Sequence, residues 1–412
     1  MKYIKKLIKG SSLCQLLSVA VVVYGLIYIF SGSFSLMASN AYNSYSRQAV
    51  SWLSGRLDLG ADVPWLELAI FEGKYYVSFP PFPSIVMLPF AIFTGINTPD
   101  HAIALGIALL SLIYAYKLGE KLLLNKQQAV FFSLFLIFGT NYLHISLWGA
   151  VWYISQNMAF LLTLMAFYYA MTENKNHSFL SLFLLCAAMG CRPFNAIYIP
   201  VVLYLLYKRE STTIALFIRR LLLFAVPAFL LGLFFMWLNF ARFGNIFEFG
   251  HNYLPEFVND PHGQFYAGRI LNNLHRIFFG FNLTGFPLFH GFAFWLASPI
   301  VISYLAYLII FIVRRVTRKT EIQQNTDICF ILGLLVLTLA HIVLFSLHRT
   351  LGGHQFGSRY TVDTLPAFYL GILFIIRSLP ENNRSVYLNT APMLFGLLLN
   401  FYGTVEFLSF YF

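Results

Sequence analysis

Four carboxylates, Asp58, Asp62, Glu67 and Glu72, fall within the polar stretch 34–81, which leads into Glu72-Gly73-Lys74-Tyr75-Tyr76-Val77-Ser78-Phe79-Pro80-Pro81-Phe82-Pro83. Asp62 and Glu67 flank Pro64-Trp65. A carboxylate at the edge of a membrane can take a proton from a hydroxyl, or hold a divalent cation against a phosphate; the alternative is a solvated loop face. Lys74 precedes the proline-rich turn, so its ammonium belongs at the headgroup level. There it pairs with the phosphate of a lipid carrier or reaches toward ordinary headgroups. Tyr75 beside it adds a ring and a hydroxyl for a polar substrate.

Cations able to face these acids come from distant segments. The loop 348–361 reads His348-Arg349-Thr350-Leu351-Gly352-Gly353-His354-Gln355-Phe356-Gly357-Ser358-Arg359-Tyr360. Its glycines permit backbone amides to converge on an anion, and Arg359 presents a planar fork suited to phosphate oxygens. Asp363, four residues on, is the nearest competing partner for Arg359. His348 and His354 lack a helical metal-ligand spacing, which favours hydrogen bonding to structure or substrate over metal. The stretch 240–286 opens with Arg242, Glu248 and His251 among alternating aromatics, a surface for sugar rings or an interfacial anchor. Arg192-Pro193 separates two short apolar segments, as in interrupted helices that line a cavity.

Such residues act only if a membrane scaffold positions them. Hydrophobic residues make up 59% of 412 positions and charged residues 10%, against about 25% charged in soluble domains. Apolar runs recur along the whole chain, predicting an all-α, polytopic bundle of about eleven membrane helices at 13–33, 101–122, 127–147, 150–171, 178–191, 193–208, 221–239, 287–314, 327–347, 362–378 and 387–409. The basic-then-apolar N-terminal segment is read as a retained first helix rather than a cleaved signal. The segment 82–96 is short and begins with prolines. Reading it as interfacial or re-entrant puts Lys117, Lys121, Lys126, Lys208, Arg209, Arg314, Arg315, Arg318, Lys319, Arg377 and Arg384 on the cytoplasmic side with the N-terminus. The polar regions 34–81, 240–286 and 348–361 then lie outside, and residues 40–55 form an amphipathic helix in the first of them. The net charge of +11 thus reports topology rather than a nucleic-acid partner. The four cysteines lack metal-ligand spacing. Nothing in the pattern marks a separate soluble domain or a nucleotide-binding loop.

The order of Gly73-Lys74-Tyr75-Tyr76, Pro80-Pro81, Asn239-Phe240-Ala241-Arg242-Phe243-Gly244-Asn245, the element from Phe289 to Pro299, and Phe356-Gly357-Ser358-Arg359-Tyr360 resembles a known family over essentially the full length. It is similar to the bacterial polyprenyl-phosphate-dependent membrane glycosyltransferases of the GT-C class, which include protein mannosyltransferase-like and aminoarabinose transferase-like enzymes. The resemblance implies an acid of the first external loop as catalytic base, a role for Glu67 or Asp62. It also implies cations that hold the departing lipid phosphate, for which Arg359, Arg242 and Lys74 are the candidates. Tyr75, His354, Arg192 and Glu248 complete the expected substrate site. The resemblance fixes no cofactor, and the acids leave room for a divalent cation. The expected partners are a polyprenyl-phosphate-linked sugar, a cell-envelope glycan, lipid or protein acceptor, and membrane lipid, with the chemistry on the outer face of the bacterial cytoplasmic membrane. Relatives place an Asp just after the first helix, where this chain has Ser39-Asn40-Ala41. A glycolipid flippase and a catalytically degenerate relative are the competing expectations.

Overall fold

The computed structural model describes residues 12–32, 35–123, 125–280, 291–317, 328–353, 355–379 and 387–411. Its longer helices are α1 (Ser12–Phe30), α2 (Ser44–Leu53), α3 (Phe82–Thr94), α4 (Asp100–Leu122), α5 (Lys126–Phe138), α6 (Val151–Ala170), α7 (His177–Met189), α8 (Ile199–Glu210), α9 (Ile214–Phe224), α10 (Val226–Phe243), α11 (Ile270–Phe279), α12 (Ile300–Thr317), α13 (Ile328–Ser346), α14 (Leu365–Ser378) and α15 (Thr390–Tyr411). Each expected apolar segment coincides with a helix, or with a helix and its adjoining turn; residues 287–290 of one segment lie outside the described residues, as do Arg318, Lys319 and Arg384. Seven stretches among the described residues are long and apolar enough to cross a bilayer: α1, α4, α10, α12, α13, the stretch 359–378 that contains α14, and α15. Segments 82–97, 126–138 and 177–189 are shorter apolar helices. The chain is an all-α, multi-pass membrane protein. Helix α3, at 13 residues, rises only about 20 Å, less than the hydrocarbon thickness of about 30 Å.

Local chemistry sets many of the helix starts. Proline occupies the first turn of α3, α8, α10 and α14, where no partner awaits its missing N–H and its fixed φ suits the helix. The side chain of Asn125 accepts from the Gln127 amide to cap α5 (2.8 Å). The stretch ending in α14 lies at the centre, with 89% of its span buried, in contact with α12, α13, α4 and α6. Small residues permit this closeness. A β-carbon on Gly371 of α14 would stand 2.5 Å from the Tyr304 ring of α12.

Basic residues gather at one end of the bundle. Helix α6 runs from Val151 to Ala170, α7 returns from His177, and α8 runs out again to Glu210. At that far end Lys175, Arg209 and Arg220 surround the Glu210 carboxylate, the last of them at 2.6 Å. Lys121 closes α4 and Lys126 opens α5, while Arg314 and Arg315 close α12 and Arg377 closes α14.

The polar stretch after α1 departs from an all-helical expectation. Helix α2 forms as the spacing predicts, but Leu68–Phe71 (β1) and Lys74–Val77 (β2) pair as an antiparallel hairpin, with Leu68 opposite Val77 and Phe71 opposite Lys74. Its two-residue turn places Glu72 (φ 49°) and Gly73 (φ 73°) in the left-handed region, the tight-turn geometry that matches strand twist and that glycine adopts without strain. Lys74 and Tyr75 are therefore strand residues near the hairpin tip. Arg242, expected to meet phosphate, anchors this hairpin instead. Its guanidinium donates to the carbonyls of Val77 (3.2 Å) and Leu238 (3.3 Å) and to Asn239 Oδ1 (3.0 Å), beside the Phe243 ring.

Replacing Gly371 with Leu overpacks the α12–α14 contact and should cost about 1–3 kcal/mol, read as a lower thermal midpoint in detergent. Arg242→Met strands three acceptors and should cost about 1–3 kcal/mol. Arg242→Lys, whose single ammonium cannot span all three, should not restore the midpoint.

Candidate active site

The hairpin fixes Glu67. The residue lies one position before β1, and its carbonyl accepts from Ser78 Oγ (2.9 Å), just beyond β2. Its carboxylate accepts from the indole N–H of Trp152, in the first turn of α6 (2.8 Å). The Val151 amide donates to the carbonyl of Tyr42 (3.0 Å), tying α6 to the approach of α2. The Glu67 side chain keeps an accessible surface on the inside of a cavity, while the walls around it displace most bulk water. That enclosure raises its pKa above the ordinary value; the Trp152 bond and the charge of Arg359 oppose the shift, and the charge of Glu256 adds to it.

The cavity has a volume of about 670 Å³, and Arg192, Glu248, His251, Glu256 and Arg359 line it together with Glu67. Acid and cation from opposite ends of the chain thus share one hollow. Arg359 is 3% exposed, and among the described residues it has no carboxylate within ion-pair distance. One Nη donates to the Trp152 carbonyl (3.1 Å), Nε has no hydrogen-bond partner, and the guanidinium lies 5.1 and 5.0 Å from the ring centres of Tyr153 and Tyr360. The competing acid is engaged elsewhere. Asp363 accepts from Nε and Nη of Arg192 (3.1 and 2.8 Å) and from Gln156 Nε2 (2.8 Å), which also donates to the Arg359 carbonyl (3.0 Å).

The local fold around Arg359 uses its polar backbone internally. Gly357 takes φ 64°, and a β-carbon there would stand 2.8 Å from Ala297 and from Asn141 Nδ2, so glycine is required on two grounds. The amide of Phe356 donates to His144 Nε2 (3.2 Å) and that of Arg359 to Gln355 Oε1 (2.8 Å). These two amides are engaged within the loop, while its Gly352, Gly353 and Arg359 border the cavity.

The opposite wall comes from the segment after α10. Glu248 borders the cavity, yet its oxygens accept from the Gly250 amide (2.6 Å) and Asn252 Nδ2 (2.5 Å), so it shapes the loop. The Phe265–His348 bridge joins this segment to the loop after α13, and Arg349 and Arg269 clamp Asp260 on its outer side (2.8 and 2.7 Å). His348 has both ring nitrogens partnered, by Gln264 Nε2 (3.0 Å) and the Thr350 carbonyl (2.7 Å). His251 donates Nδ1–H to the Ser78 carbonyl (2.9 Å). Burial lowers its pKa to about 4, so the ring is neutral near pH 7.

Of the residues singled out from the sequence, Glu67, Arg359, Arg192 and Glu248 meet at the cavity. Asp62, Lys74, Tyr75 and Arg242 are not among its lining residues; Asp62 and Lys74 are exposed, and Arg242 holds the hairpin. His354 lies outside the described residues. Glu256 and Trp152 escape a reading of the sequence, because each joins the cavity through contacts no local spacing encodes. Among the described residues no group of three His, Cys, Asp or Glu side chains is arranged to hold a metal ion.

No family model matches the sequence, and no curated protein does. Solved structures do. The chain is similar to the crystal structure of ArnT from Cupriavidus metallidurans in the apo state, with a TM-score of 0.52 and 13% identity, covering 97% of this chain and 77% of that one. It is equally similar to the same organism's ArnT bound to undecaprenyl phosphate, with a TM-score of 0.52 and 12% identity, covering 96% of this chain and 76% of that one. At that identity the likeness is one of fold: this chain has the GT-C-like architecture that the order of its motifs implied.

Proposed function

We propose that this protein is a membrane glycosyltransferase that moves a sugar from a polyprenyl-phosphate-linked donor to a hydroxyl of a cell-envelope acceptor. The observation that carries this reading is Arg359, a buried guanidinium with no carboxylate in ion-pair distance among the described residues, on the same cavity as Glu67. A buried cation without a counter-ion is costly unless a ligand supplies one. A phosphate that gains charge as its bond to the sugar breaks is such a ligand, and the low-dielectric wall of Tyr153 and Tyr360 strengthens the attraction. The fold supports the same donor class, since ArnT of like architecture has been crystallised with undecaprenyl phosphate.

In this reading Glu67 takes the proton of the acceptor hydroxyl as its oxygen bonds to the anomeric carbon. The bond from that carbon to the phosphate oxygen breaks, the electron pair departs with the lipid phosphate, and the configuration inverts. Arg359 meets the developing charge. Arg192, paired with Asp363, braces the wall rather than serving as the main phosphate ligand. The basic residues at the far helix ends support a cytoplasmic position for that end. In that orientation the reaction takes place at the outer face of the bacterial cytoplasmic membrane.

Release of polyprenyl phosphate from a labelled lipid-linked sugar tests the assignment. Glu67→Gln and Arg359→Ala should each lower the rate by about a hundredfold or more. Undiminished release in both variants removes these roles, and no release by the wild type with any donor removes the transferase reading. The pH profile gives a second check. Because Glu67 acts ionised and its enclosure favours the neutral form, the acid limb of kcat/KM should lie above the ordinary carboxylate range. Trp152→Phe removes a bond that favours the charged form and should move the limb to higher pH. Glu256→Gln removes a repelling charge and should move it lower.

A further inference from the structure

Two histidines, His251 and His348, line the cavity among the described residues and differ in what they leave open. His348 has a protein partner at each ring nitrogen. His251 has one. Its Nδ1 stands 2.9 Å from the Ser78 carbonyl, which cannot donate, so Nδ1 carries the proton. In the neutral ring Nε2 is then an acceptor, and among the described residues it has no protein donor. The ring borders the cavity within a cage of other rings: Phe79 at 5.4 Å, Phe249 at 5.6 Å, Phe257 at 5.3 Å and His348 at 6.1 Å between centres. Titratable neighbours facing it are His348, partnered at both ring nitrogens, Glu248, whose oxygens are engaged, and Arg192, held by Asp363.

We propose that this end of the cavity is a sugar subsite in which His251 Nε2 accepts a hydrogen bond from a ring hydroxyl. The inference rests on reading the cavity as a site of lipid-linked sugar transfer, and names a contact that reading does not assign. Aromatic faces suit the apolar side of a pyranose, while its hydroxyls need acceptors fixed in orientation, as the tethered imidazole is. The Ser78 carbonyl orients the imidazole, and Ser78 Oγ holds the carbonyl of Glu67. One residue therefore sets both the acceptor nitrogen and the candidate base. The same chemistry fits a sugar of the donor or of a glycan acceptor.

Two experiments on the full-length protein in detergent decide it. Diethyl pyrocarbonate acylates accessible, unprotonated imidazole nitrogens, so peptide mass spectrometry should find His251 modified and His348 spared. A polyprenyl-phosphate-linked hexose should protect His251 if the sugar is the donor's, and an octyl hexoside if it is the acceptor's. Polyprenyl phosphate without a sugar should not protect. Protection by neither sugar, or equal protection by the bare phosphate, overturns the proposal whether or not turnover is observed. The second experiment separates substrate contact from a structural tether. Gln at this position places an acceptor near Nε2, whereas Asn places its amide near Nδ1, where it can still bond Ser78. In the polyprenyl phosphate release assay His251→Asn should raise KM about tenfold, the worth of one hydrogen bond, with kcat little changed, and His251→Gln should stay near wild type. Rescue by Asn and not by Gln assigns His251 to the tether alone. An inactive wild type instead defeats the transferase reading, leaving the protection result to stand on its own.

Discussion

One buried carboxylate decides which arginine can serve a ligand. Asp363 lies within reach of two arginines through shared partners: it binds Arg192 directly and meets the Arg359 backbone through Gln156. Because its charge goes to Arg192, Arg359 is left with no carboxylate in ion-pair distance among the described residues, between the rings of Tyr153 and Tyr360. The Tyr360 ring takes part in both sides of this division, 4.9 Å from Arg192 and 5.0 Å from Arg359. Removing Asp363 would leave a second uncompensated cation in the wall, and breaking such buried pairs costs about 3–5 kcal/mol. The polar network at the head of α14 is thus structural at Arg192 and open to a ligand at Arg359.

The acid side has a comparable division between residues that support and the one that faces the cavity. The hairpin strands carry no group that lines the cavity, yet they fix Glu67 at their base. Arg242 pins the hairpin to the end of α10 through Val77. From there one residue, Ser78, reaches Glu67 through its hydroxyl and His251 through its carbonyl. Rigid helices set the cavity's depth, and this short ladder sets the direction in which its groups point.

Much of the scaffold is legible in the sequence because bilayer spans write themselves as uninterrupted apolar runs. The breaks at Arg192-Pro193 and at the proline-led α3 are legible for the same reason, since proline ends or opens a helix by a local rule. The hairpin is harder to see although its signal is present: Leu68–Phe71 and Lys74–Val77 flank a two-residue turn with Gly73, a pattern overshadowed by the adjoining prolines. A pair between Arg359 and Asp363 fails for a geometric reason. Residues Arg359–Thr364 form a 3-10 turn, in which positions three apart align and positions four apart do not. Asp363 therefore turns toward Arg192, 171 residues away, a distance no spacing rule crosses. His251 is visible as a residue but not as an acceptor, because its tautomer is set by a carbonyl 173 positions distant.

Asn40 sits at a junction between the approach to α2 and the start of α4. Its side-chain oxygen accepts from the Tyr42 amide (2.8 Å), its amide group meets His101 Nε2 (3.4 Å), and its backbone N–H donates to Asp100 (3.1 Å). Asp100 also accepts from Ser46 Oγ (2.8 Å), so the carboxylate at this junction is bound on both oxygens and joins α2 to α4. The amide of Asn40 supplies both an acceptor, to Tyr42, and a donor, to His101, which an ionised carboxylate could not. Tyr42, two residues on, is the part of this stretch that reaches the cavity, where Trp152 lies 5.0 Å from its ring and holds Glu67. Asn40 therefore belongs to the junction of α2 with α4, while a carboxylate that borders the cavity, Glu67, stands at the base of the hairpin.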